Sequence, residues 1–526
     1  MSRPSSTDAA VEFYSPEYLR LRVPDPEDAA ARIRGARLDS DGVLVPWDLP
    51  TVRRLTALQL PVISPMAFEY EWPSYKPKIP APMPHQIKGA DFLVRNPRSF
   101  FFGGIGVGKT ISTLWAADYL IQKGEVSRVL VVCPLSIVNE SWGDTIKTHF
   151  RHLSYTTLVG PAAKRRQLVR NPTNIHIINF DGVPVIRDEL AEAGYDLVVI
   201  DESTAYKNPS TQRWKMLNSI IDPLGLLWLL TGTPVPQGPM DAFGQAKLVN
   251  PTMRYRTQMM FKMATMYQVT DFKWVPKPES AGIVKDVLSP AIYIDKRQVL
   301  KDLPPVTSLF RQVDVTPAQK RAFDKMRMVM QTVEEGAKIT AANAAVQLCK
   351  LLQILAGTVY DDEGEVVSFD NKPRINEMIG LLEQSQSKSL VYVPFLHVLE
   401  SCAEAMSKAG IRYEIIYGGV SRKERERIFK EFQTEDTFDC ILAIPHAMAH
   451  GVTATAASTV VWFMPQPRHE IYTQASGRVD RTGQKLPVTL AHLYGHAIEK
   501  KMYEAQQSAQ GYEHEILSLY KSLVGS

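Results

Sequence analysis

Residues 103–110 carry the clearest chemical signal in the sequence. They read Gly-Gly-Ile-Gly-Val-Gly-Lys-Thr, which fits the phosphate-binding pattern G-x-x-x-x-G-K-[ST]. Glycines let backbone N–H groups point at phosphates, the lysine neutralises the outer phosphates, and the hydroxyl holds magnesium. The loop therefore predicts a site for ATP and Mg²⁺, with Lys109 in a catalytic role and Thr110 as a metal ligand. The expected nucleotide contacts are Gly103, Gly104, Ile105, Gly106, Val107, Gly108, Lys109 and Thr110.

An acidic pair, Asp201-Glu202, follows the apolar run 197–200 directly. We expect Asp201 to bind magnesium, directly or through water, and Glu202 to polarise the attacking water as a general base. Such a pair taken by itself is also typical of a solvated turn. Its position about 90 residues after the phosphate loop favours the catalytic interpretation.

Two arginines, Arg478 and Arg481, lie within the segment 474–484 in the second half of the chain. Their i, i+3 spacing predicts that both guanidinium groups lie on one face of a helix. Arginine stays charged and chelates phosphate oxygens with its planar fork. An arginine finger contributes roughly 10³–10⁵ in turnover. A salt-bridged surface helix is the alternative interpretation of the same spacing.

These residues need elements that hold them, and short apolar runs alternate with helical patterns in two parts of the chain. This alternation predicts an α/β fold with two parallel sheets. Ligands of such sheets bind at the carboxyl ends of the strands, where the polar motifs occur. The predicted strands are 99–102, 129–133, 175–178, 197–200 and 226–230, then 389–393, 413–416, 440–444, 459–463 and 488–493.

Five segments are predicted along the chain. Residues 1–75 form an accessory module, for which DNA-substrate recognition and a plain structural cap are the two interpretations, and a proline-rich link follows. The remaining segments are a first ATP-binding domain at 76–255, a helical linker at 256–370 with helices near 317–335 and 340–356, a second domain at 371–505, and a C-terminal helix at 506–526.

Composition narrows the class of protein. The chain has 526 residues and a net charge of +4, so any nucleic-acid surface must be local. The four cysteines are far apart without a C-x-x-C pair, which disfavours a zinc site or a disulfide framework and indicates a reducing compartment. The polar N-terminus and the lack of a long apolar run predict neither a signal segment nor a membrane span. We expect a cytoplasmic protein of a bacterium or a phage-infected cell.

Taken together, the motifs resemble superfamily 2 helicases and translocases of the Swi/Snf-like group over about residues 80–505. The segment 84–89 is similar to the glutamine motif that reads adenine, with Gln86 in that role. The segments 201–210 and 230–234 resemble the group's acidic and Thr-Gly-Thr-Pro motifs. The linker segment Val299-Leu300-Lys301-Asp302-Leu303-Pro304-Pro305 is characteristic of the group. The second-domain motifs follow in order: Gly418-Gly419, Gly451 with Thr453, and Arg478 with Arg481.

The resemblance implies two RecA-like domains with ATP in the cleft between them, and Arg478 and Arg481 reaching the phosphates. It also implies that Gly451 and Gln474 contact the nucleotide, and that DNA is held mainly through its phosphates. The implied DNA-binding or coupling residues are Pro134, Ser136, Asn179, Thr231, Gly232, Thr233, Gly419 and Thr453.

The predicted function is an ATP-dependent DNA translocase or helicase that tracks on duplex or branched DNA and remodels forks or joint molecules. An RNA helicase and an ATP-switched DNA-binding subunit of a larger complex stay open as alternatives. DNA is the expected partner, recognised largely without regard to sequence, and no membrane is expected.

Three departures from the group's pattern stand out. Ser203-Thr204 replaces Ala-His, which puts the relay from the acidic motif to Thr231–Thr233 in doubt. Gln237 replaces an asparagine, and Ala449-His450-Gly451 replaces a glycine-richer sequence. The region between Pro234 and Leu390 is short, and in this it resembles the same region of compact phage and bacterial members of the group. Residues 35–47 faintly resemble the HARP module of annealing helicases.

Overall fold

The computed structural model describes residues 9–72, 81–269, 274–336, 341–360, 365–448, 453–466, 468–504 and 506. Two compact units separate between Val299 and Leu300. Most of the predicted proline-rich link, and all of the predicted C-terminal helix except Gln506, lie outside the described residues. Among the described residues, no helix has the length and apolar character needed to cross a membrane.

The first described strands form a small antiparallel sheet in the order β1-β2-β4-β3. Leu19, Leu21, Val43 and Val45 alternate along the central strands and build its core, as expected for a sheet with one buried face. The strands are β1 Ala10–Ser15, β2 Tyr18–Arg22, β3 Arg37–Asp39 and β4 Gly42–Pro46, and the helices are α1 Pro26–Arg32, α2 Leu49–Ala57 and α3 Met66–Glu69.

A seven-stranded sheet forms the rest of the first unit, in the order β13-β5-β10-β9-β6-β8-β7, with every pairing parallel. The strands are β5 Arg98–Gly103, β6 Val129–Cys133, β7 Tyr155–Thr157, β8 Ile175–Asn179, β9 Leu197–Asp201, β10 Leu226–Thr231 and β13 Ala291–Ile294, with a separate hairpin of β11 Met266–Gln268 and β12 Trp274–Pro276. The helices are α4 Pro84–Arg95, α5 Lys109–Gln122, α6 Asp144–His149, α7 Ala162–Leu168, α8 Arg187–Ala193, α9 Gln212–Asn218, α10 Asp241–Val249, α11 Gln258–Thr265, α12 Ser280–Val287 and α13 Lys296–Val299.

The second unit contains a six-stranded parallel sheet in the order β14-β21-β20-β17-β19-β18. The strands are β14 Val306–Gln312, β17 Lys388–Tyr392, β18 Tyr413–Ile416, β19 Cys440–Ala443, β20 Ala457–Trp462 and β21 Val488–Tyr494, with a hairpin of β15 Thr358–Tyr360 and β16 Val366–Ser368. The helices are α14 Pro317–Gly336, α15 Ala341–Ala356, α16 Lys372–Glu383, α17 Leu396–Lys408, α18 Arg422–Thr434, α19 Pro445–Met448 and α20 His469–Ser476. The α/β class with two parallel sheets is confirmed.

The extent of the predicted helical linker, 256–370, needs correction. Strand β13 lies inside that range but pairs with β5 of the first sheet. Strand β14 also lies inside it and pairs with β21 of the second sheet. Both are edge strands with partly exposed side chains. Polar residues interrupt β14, and β13 is a run of only four apolar residues inside an otherwise irregular segment.

The N-terminal sheet is joined to helix α5 through the segment that follows α3. The Tyr70 hydroxyl donates to Oδ2 of the buried Asp118 at 2.6 Å. The Trp72 and Trp115 rings meet edge to face, with centroids 4.9 Å apart. Arg53 donates to the Val94 carbonyl oxygen at 3.2 Å. The Tyr70 and Trp72 contacts connect the module to α5, the helix that begins at the phosphate loop, and the Arg53 contact connects it to α4. The role of the module stays a prediction.

Candidate functional site

The phosphate loop connects β5 to α5, and its backbone explains two of its glycines. Gly106 and Gly108 have φ values of +88° and +85°, a region that side chains with a Cβ disfavour. A Cβ on Gly108 would also lie 2.4 Å from Nε2 of Gln86. The Gln86 amide therefore lies against the loop, while its Oε1 accepts from the Met83 N–H at 3.0 Å.

Lys109 is the first residue of α5, at the helix end whose free N–H groups favour anions. Its ammonium donates to the carbonyl oxygen of Gly103 at 2.7 Å. His85 contacts the same loop from α4, with Nε2 3.0 Å from the Val107 carbonyl oxygen. Burial lowers the pKa of His85, so this contact is made by a neutral ring at pH 7. His85 lies within the predicted glutamine motif, 84–89, but it was given no role from the sequence alone.

The acidic pair follows β9 directly, and Asp201 is buried. The indole N–H of Trp142 donates to Oδ2 of Asp201 at 2.9 Å, and the Glu202 backbone N–H donates to Oδ1 at 3.0 Å. Burial raises the pKa of Asp201, while the positive charge of Lys109 and these two hydrogen bonds oppose the rise. The opposing effect of Lys109 indicates that the loop and the acidic motif share one electrostatic site.

Glu202 has a φ of +51°, which is uncommon for a residue with a side chain and often marks a functional site. Its Oε2 accepts a long hydrogen bond from the Thr231 hydroxyl at 3.4 Å. The Thr231 hydroxyl oxygen also accepts from the Thr233 N–H at 3.1 Å. The acidic pair and the Thr-Gly-Thr motif therefore meet at one edge of the sheet.

A buried glutamine, Gln245, forms a second link between these motifs. The Ser203 hydroxyl donates to Oε1 of Gln245 at 2.7 Å. Its Nε2 donates to the carbonyl oxygens of Pro234 and Asp241, each at 2.8 Å. Ser203 is thus linked through Gln245 to Pro234 of the Thr-Gly-Thr-Pro motif. Gln245 was not predicted as a site residue from the sequence. The one sequence feature that points to it is its polar side chain between the small and apolar residues of α10.

The unusual Gln237 is held by a basic and an acidic neighbour. The Lys207 ammonium donates to Oε1 of Gln237 at 2.6 Å and forms an ion pair with Oδ1 of Asp241 at 3.1 Å. The Gln237 N–H donates to the other carboxylate oxygen of Asp241 at 2.8 Å. This cluster fixes the loop that follows Pro234.

The remaining candidates of the first unit follow the carboxyl ends of their strands, as predicted. Pro134 is buried after β6, and Ser136 is partly exposed two residues later. Asn179 is buried at the end of β8, where its Oδ1 accepts from Arg165 at 2.8 Å. Gly232 is partly buried after β10. Their contacts with DNA stay predictions.

The arginine segment of the second unit corrects one expectation. Helix α20 ends at Ser476 with Gly477 as its cap, so Arg478 and Arg481 lie in the turns that follow and not on a helix face. The side-chain amide of Gln484, which sequence reasoning gave no role, braces this turn. It donates to the carbonyl oxygens of Ala457 and Val479 at 2.8 and 3.0 Å.

Each arginine has a defined contact. Nε of Arg478 donates to the Gln474 carbonyl oxygen at 3.0 Å, and Nη1 of Arg481 donates to the Thr453 hydroxyl at 2.8 Å. Burial lowers the pKa of Arg481 to about 10, which leaves it cationic at pH 7. Gly419 is exposed between β18 and α18. Gly451 lies outside the described residues.

The first unit offers oxygen ligands that suit magnesium. No group of three or more His, Cys, Asp or Glu side chains is arranged as a metal site in the described part of the chain. Mg²⁺ bound with nucleotides usually needs only one or two carboxylates because phosphates and waters supply the other ligands. The Thr110 hydroxyl and the Asp201 carboxylate fit that requirement.

Comparison with known proteins identifies similar chains. The family model for the SNF2-related domain matches residues 85–358, and that for the helicase conserved C-terminal domain matches residues 372–483. An ATP-dependent helicase of Mycoplasma pneumoniae is 24% identical over 96% of this chain and 47% of its own length. A protein of Acyrthosiphon pisum secondary endosymbiont phage 1 is 24% identical over 78% of this chain and 92% of its own length.

Two further matches come from a human protein and a solved structure. The human DNA annealing helicase and endonuclease ZRANB3 is 26% identical over 78% of this chain and 38% of its own length. The SWI2/SNF2 ATPase core of Sulfolobus solfataricus in complex with dsDNA is 21% identical, with a TM-score of 0.41 over 83% of this chain and 92% of that one. The chain spans less than half the length of the Mycoplasma and human relatives.

Proposed function

Since the chain belongs to the SNF2-related family of ATP-dependent helicases, we propose that it hydrolyses ATP to translocate along duplex or branched DNA. One observation carries the proposal: the phosphate loop, the acidic pair and the Thr-Gly-Thr motif converge at one edge of one sheet. There Lys109 acts on the charge of Asp201, and Thr231 bonds to Glu202. This arrangement suits phosphoryl transfer to water.

In this proposal Lys109 binds the outer phosphates. Thr110 and Asp201 hold Mg²⁺, which supplies charge neutralisation at the transferring phosphoryl group. Glu202 accepts the proton of the attacking water. The bond between Thr231 and Glu202 supports a further role, in which the state of the nucleotide is passed to the Thr-Gly-Thr-Pro loop.

Arg478 and Arg481 act on the phosphates in the same proposal. The cationic state of Arg481 and the bracing of its turn by Gln484 support that role. Gln86 would read the adenine, and Gly451 and Gln474 would contact the nucleotide. The DNA-binding and coupling residues implied by the family motifs would contact the DNA. The bacterial and phage relatives support a cytoplasmic setting.

Remodelling of forks or joint molecules is the finer part of the proposal. The similarity to a DNA annealing helicase supports it. The bond from Tyr70, at the end of α3, to Asp118 of α5 supports a role for the module in substrate choice, because a change in the module would reach the helix that carries Lys109.

ATPase assays without nucleic acid and with single-stranded DNA, duplex DNA or RNA test the proposal. We expect the strongest stimulation by duplex or branched DNA, together with ATP-dependent displacement of a third strand from a triplex. Stimulation by RNA in place of DNA would favour an RNA helicase. Binding of DNA without third-strand displacement would favour an ATP-operated switch. An ATPase rate that duplex DNA raises little or not at all would contradict the translocase proposal.

A further inference from the structure

The edge strand β13 brings a basic segment to the phosphate loop. Its last residue, Ile294, pairs in parallel register with Gly103, the first residue of the loop. The chain therefore leaves the sheet at the edge where the loop begins. Asp295 follows, and its Oδ1 accepts from the Arg297 N–H at 2.9 Å, which fixes the start of the short helix α13, where Lys296 is the first residue.

The Lys296 side chain lies along Gly104. A Cβ built on Gly104 would lie 3.2 Å from Cβ and 3.6 Å from Cδ of Lys296. The carbonyl oxygens of Gly103 and Gly104 are also 2.7 and 3.5 Å from the ammonium of Lys109. Two lysines therefore lie against the same dipeptide, Gly103–Gly104: Lys109 from the start of α5, and Lys296 from the start of α13.

This arrangement has an electrostatic consequence. The loop 103–108 is built of Gly, Ile and Val and has no acidic side chain. A lysine side chain that lies against such a loop adds positive charge near the place where phosphates would bind, and opposite charges attract. The N-terminus of the 14-residue helix α5 adds to the preference for an anion.

We propose that Lys296 binds the phosphates of the nucleotide as a second lysine beside Lys109. The inference rests on the proposed use of ATP at this loop. It adds a ligand from a segment that follows the motifs of the first domain in sequence. Lys296 also lies four residues before Leu300, where the second unit begins. Phosphate binding would thereby fix the start of the connection between the two units.

Equilibrium titration of the full-length protein with MgATP, MgADP and AMP tests this role. Lys296→Met keeps an aliphatic stem against Gly104 and removes the charge, whereas Lys296→Arg keeps the charge. We expect Lys296→Met to weaken MgATP binding about 10-fold, the lower range for a hydrogen bond to a charged group. Lys296→Arg should stay within about 2-fold of the wild type, with AMP affinity unchanged in both variants.

The salt dependence and a matched control separate charge from packing. Lys215→Ala removes an exposed lysine of α9 and should leave all affinities unchanged. The loss in Lys296→Met should shrink as the ionic strength rises, because screening weakens the contribution of the charge. A Lys296→Met protein with wild-type MgATP affinity overturns the inference, as does an equal loss in the Met and Arg variants.

The two proposals fail in different ways. If the wild-type protein binds MgATP but duplex DNA does not raise its ATPase rate, the translocase proposal fails. The MgATP affinities of the Lys296 variants then still decide whether Lys296 binds the phosphates. A wild-type protein that does not bind MgATP overturns both.

Discussion

The two sheets hold their charged residues in different ways. In the first unit, Asp201 is buried and accepts from the Trp142 indole, while Ser203 beside it is bonded to Gln245. In the second unit, Arg478 and Arg481 lie in turns after a helix end, and the turn is braced by bonds from Gln484 to backbone carbonyl oxygens. The difference teaches that Asp201 is held by an indole side chain 59 positions away, whereas the arginine turn is held mainly by bonds to backbone carbonyl oxygens, together with one bond from Arg481 to the Thr453 hydroxyl.

The largest expected effect is at the arginine turn. Arg481→Ala should bind ATP and lower DNA-stimulated turnover by about 10³-fold, the lower end for an arginine finger. Steady-state ATPase and ATP titration measure the two quantities. Arg412→Ala removes an exposed arginine paired with Asp436 and Asp439 and serves as the control. An unchanged DNA-stimulated ATPase rate in Arg481→Ala would show that Arg481 is not part of the catalytic site. The comparison of the acidic pair with the arginine turn would then no longer apply.

The next effect concerns the base assigned to the acidic pair. Glu202→Gln keeps the shape of the side chain and loses the proton acceptor, so hydrolysis should fall by about 10²–10³-fold while ATP stays bound. Single-turnover hydrolysis of prebound ATP measures it. Glu192→Gln, at an exposed position of α8, should behave like the wild type. Rapid turnover in Glu202→Gln would mean that the proton is accepted elsewhere.

A smaller effect is expected at Gln245, and it tests whether side chains distant in sequence hold the acidic pair. Gln245→Leu removes both the acceptor for Ser203 and the donor to Pro234, and should lower DNA-stimulated turnover about 10-fold at unchanged ATP affinity. Ser203→Ala interrupts the same connection, so the double variant should lose little more than Gln245→Leu. Additive losses would show that Gln245 supports the helix α10 and not the link between motifs.

The smallest effect is a shift in pH dependence. The Trp142 bond favours the ionised form of Asp201, so Trp142→Phe should raise the pKa of Asp201 beyond the increase that burial already causes. The acidic limb of the profile of turnover against pH should then move to higher pH. Trp228→Phe, which loses an indole bond to the Asn96 carbonyl oxygen, is the buried control. Coincident acidic limbs would contradict a role for Trp142 at Asp201.

Much of the fold could be predicted because the central strands are continuous apolar runs. The predicted central strand at 129–133 has the observed bounds, as does the edge strand at 413–416, and most of the others differ by a residue or two. Strand β14 was missed because polar residues interrupt it, and β13 was missed because its four apolar residues lie inside an otherwise irregular segment. The helical placement of Arg478 and Arg481 was wrong because an i, i+3 spacing also fits a turn, and Gly477 ends the helix before it.

The charged and phosphate-binding positions of the site could be named from motifs, but their partners could not. Trp142 and Asp201 are 59 positions apart, and Ser203 and Gln245 are 42 apart. Nothing in the local pattern pairs such residues, since the pairing exists only once the parallel strands have brought their carboxyl ends together. Lys296 escaped notice for the same reason: it follows the missed strand β13.

The junction between Tyr70 and Asp118 has a mechanical consequence. Helix α5 starts at Lys109, and its 14 residues give a rod about 21 Å long. Asp118 lies near the far end of this rod and is clamped there by Tyr70 and His152. A movement of α5 along its axis would therefore load the bond to Tyr70 directly, because that bond joins the far half of the helix to the residue that follows α3.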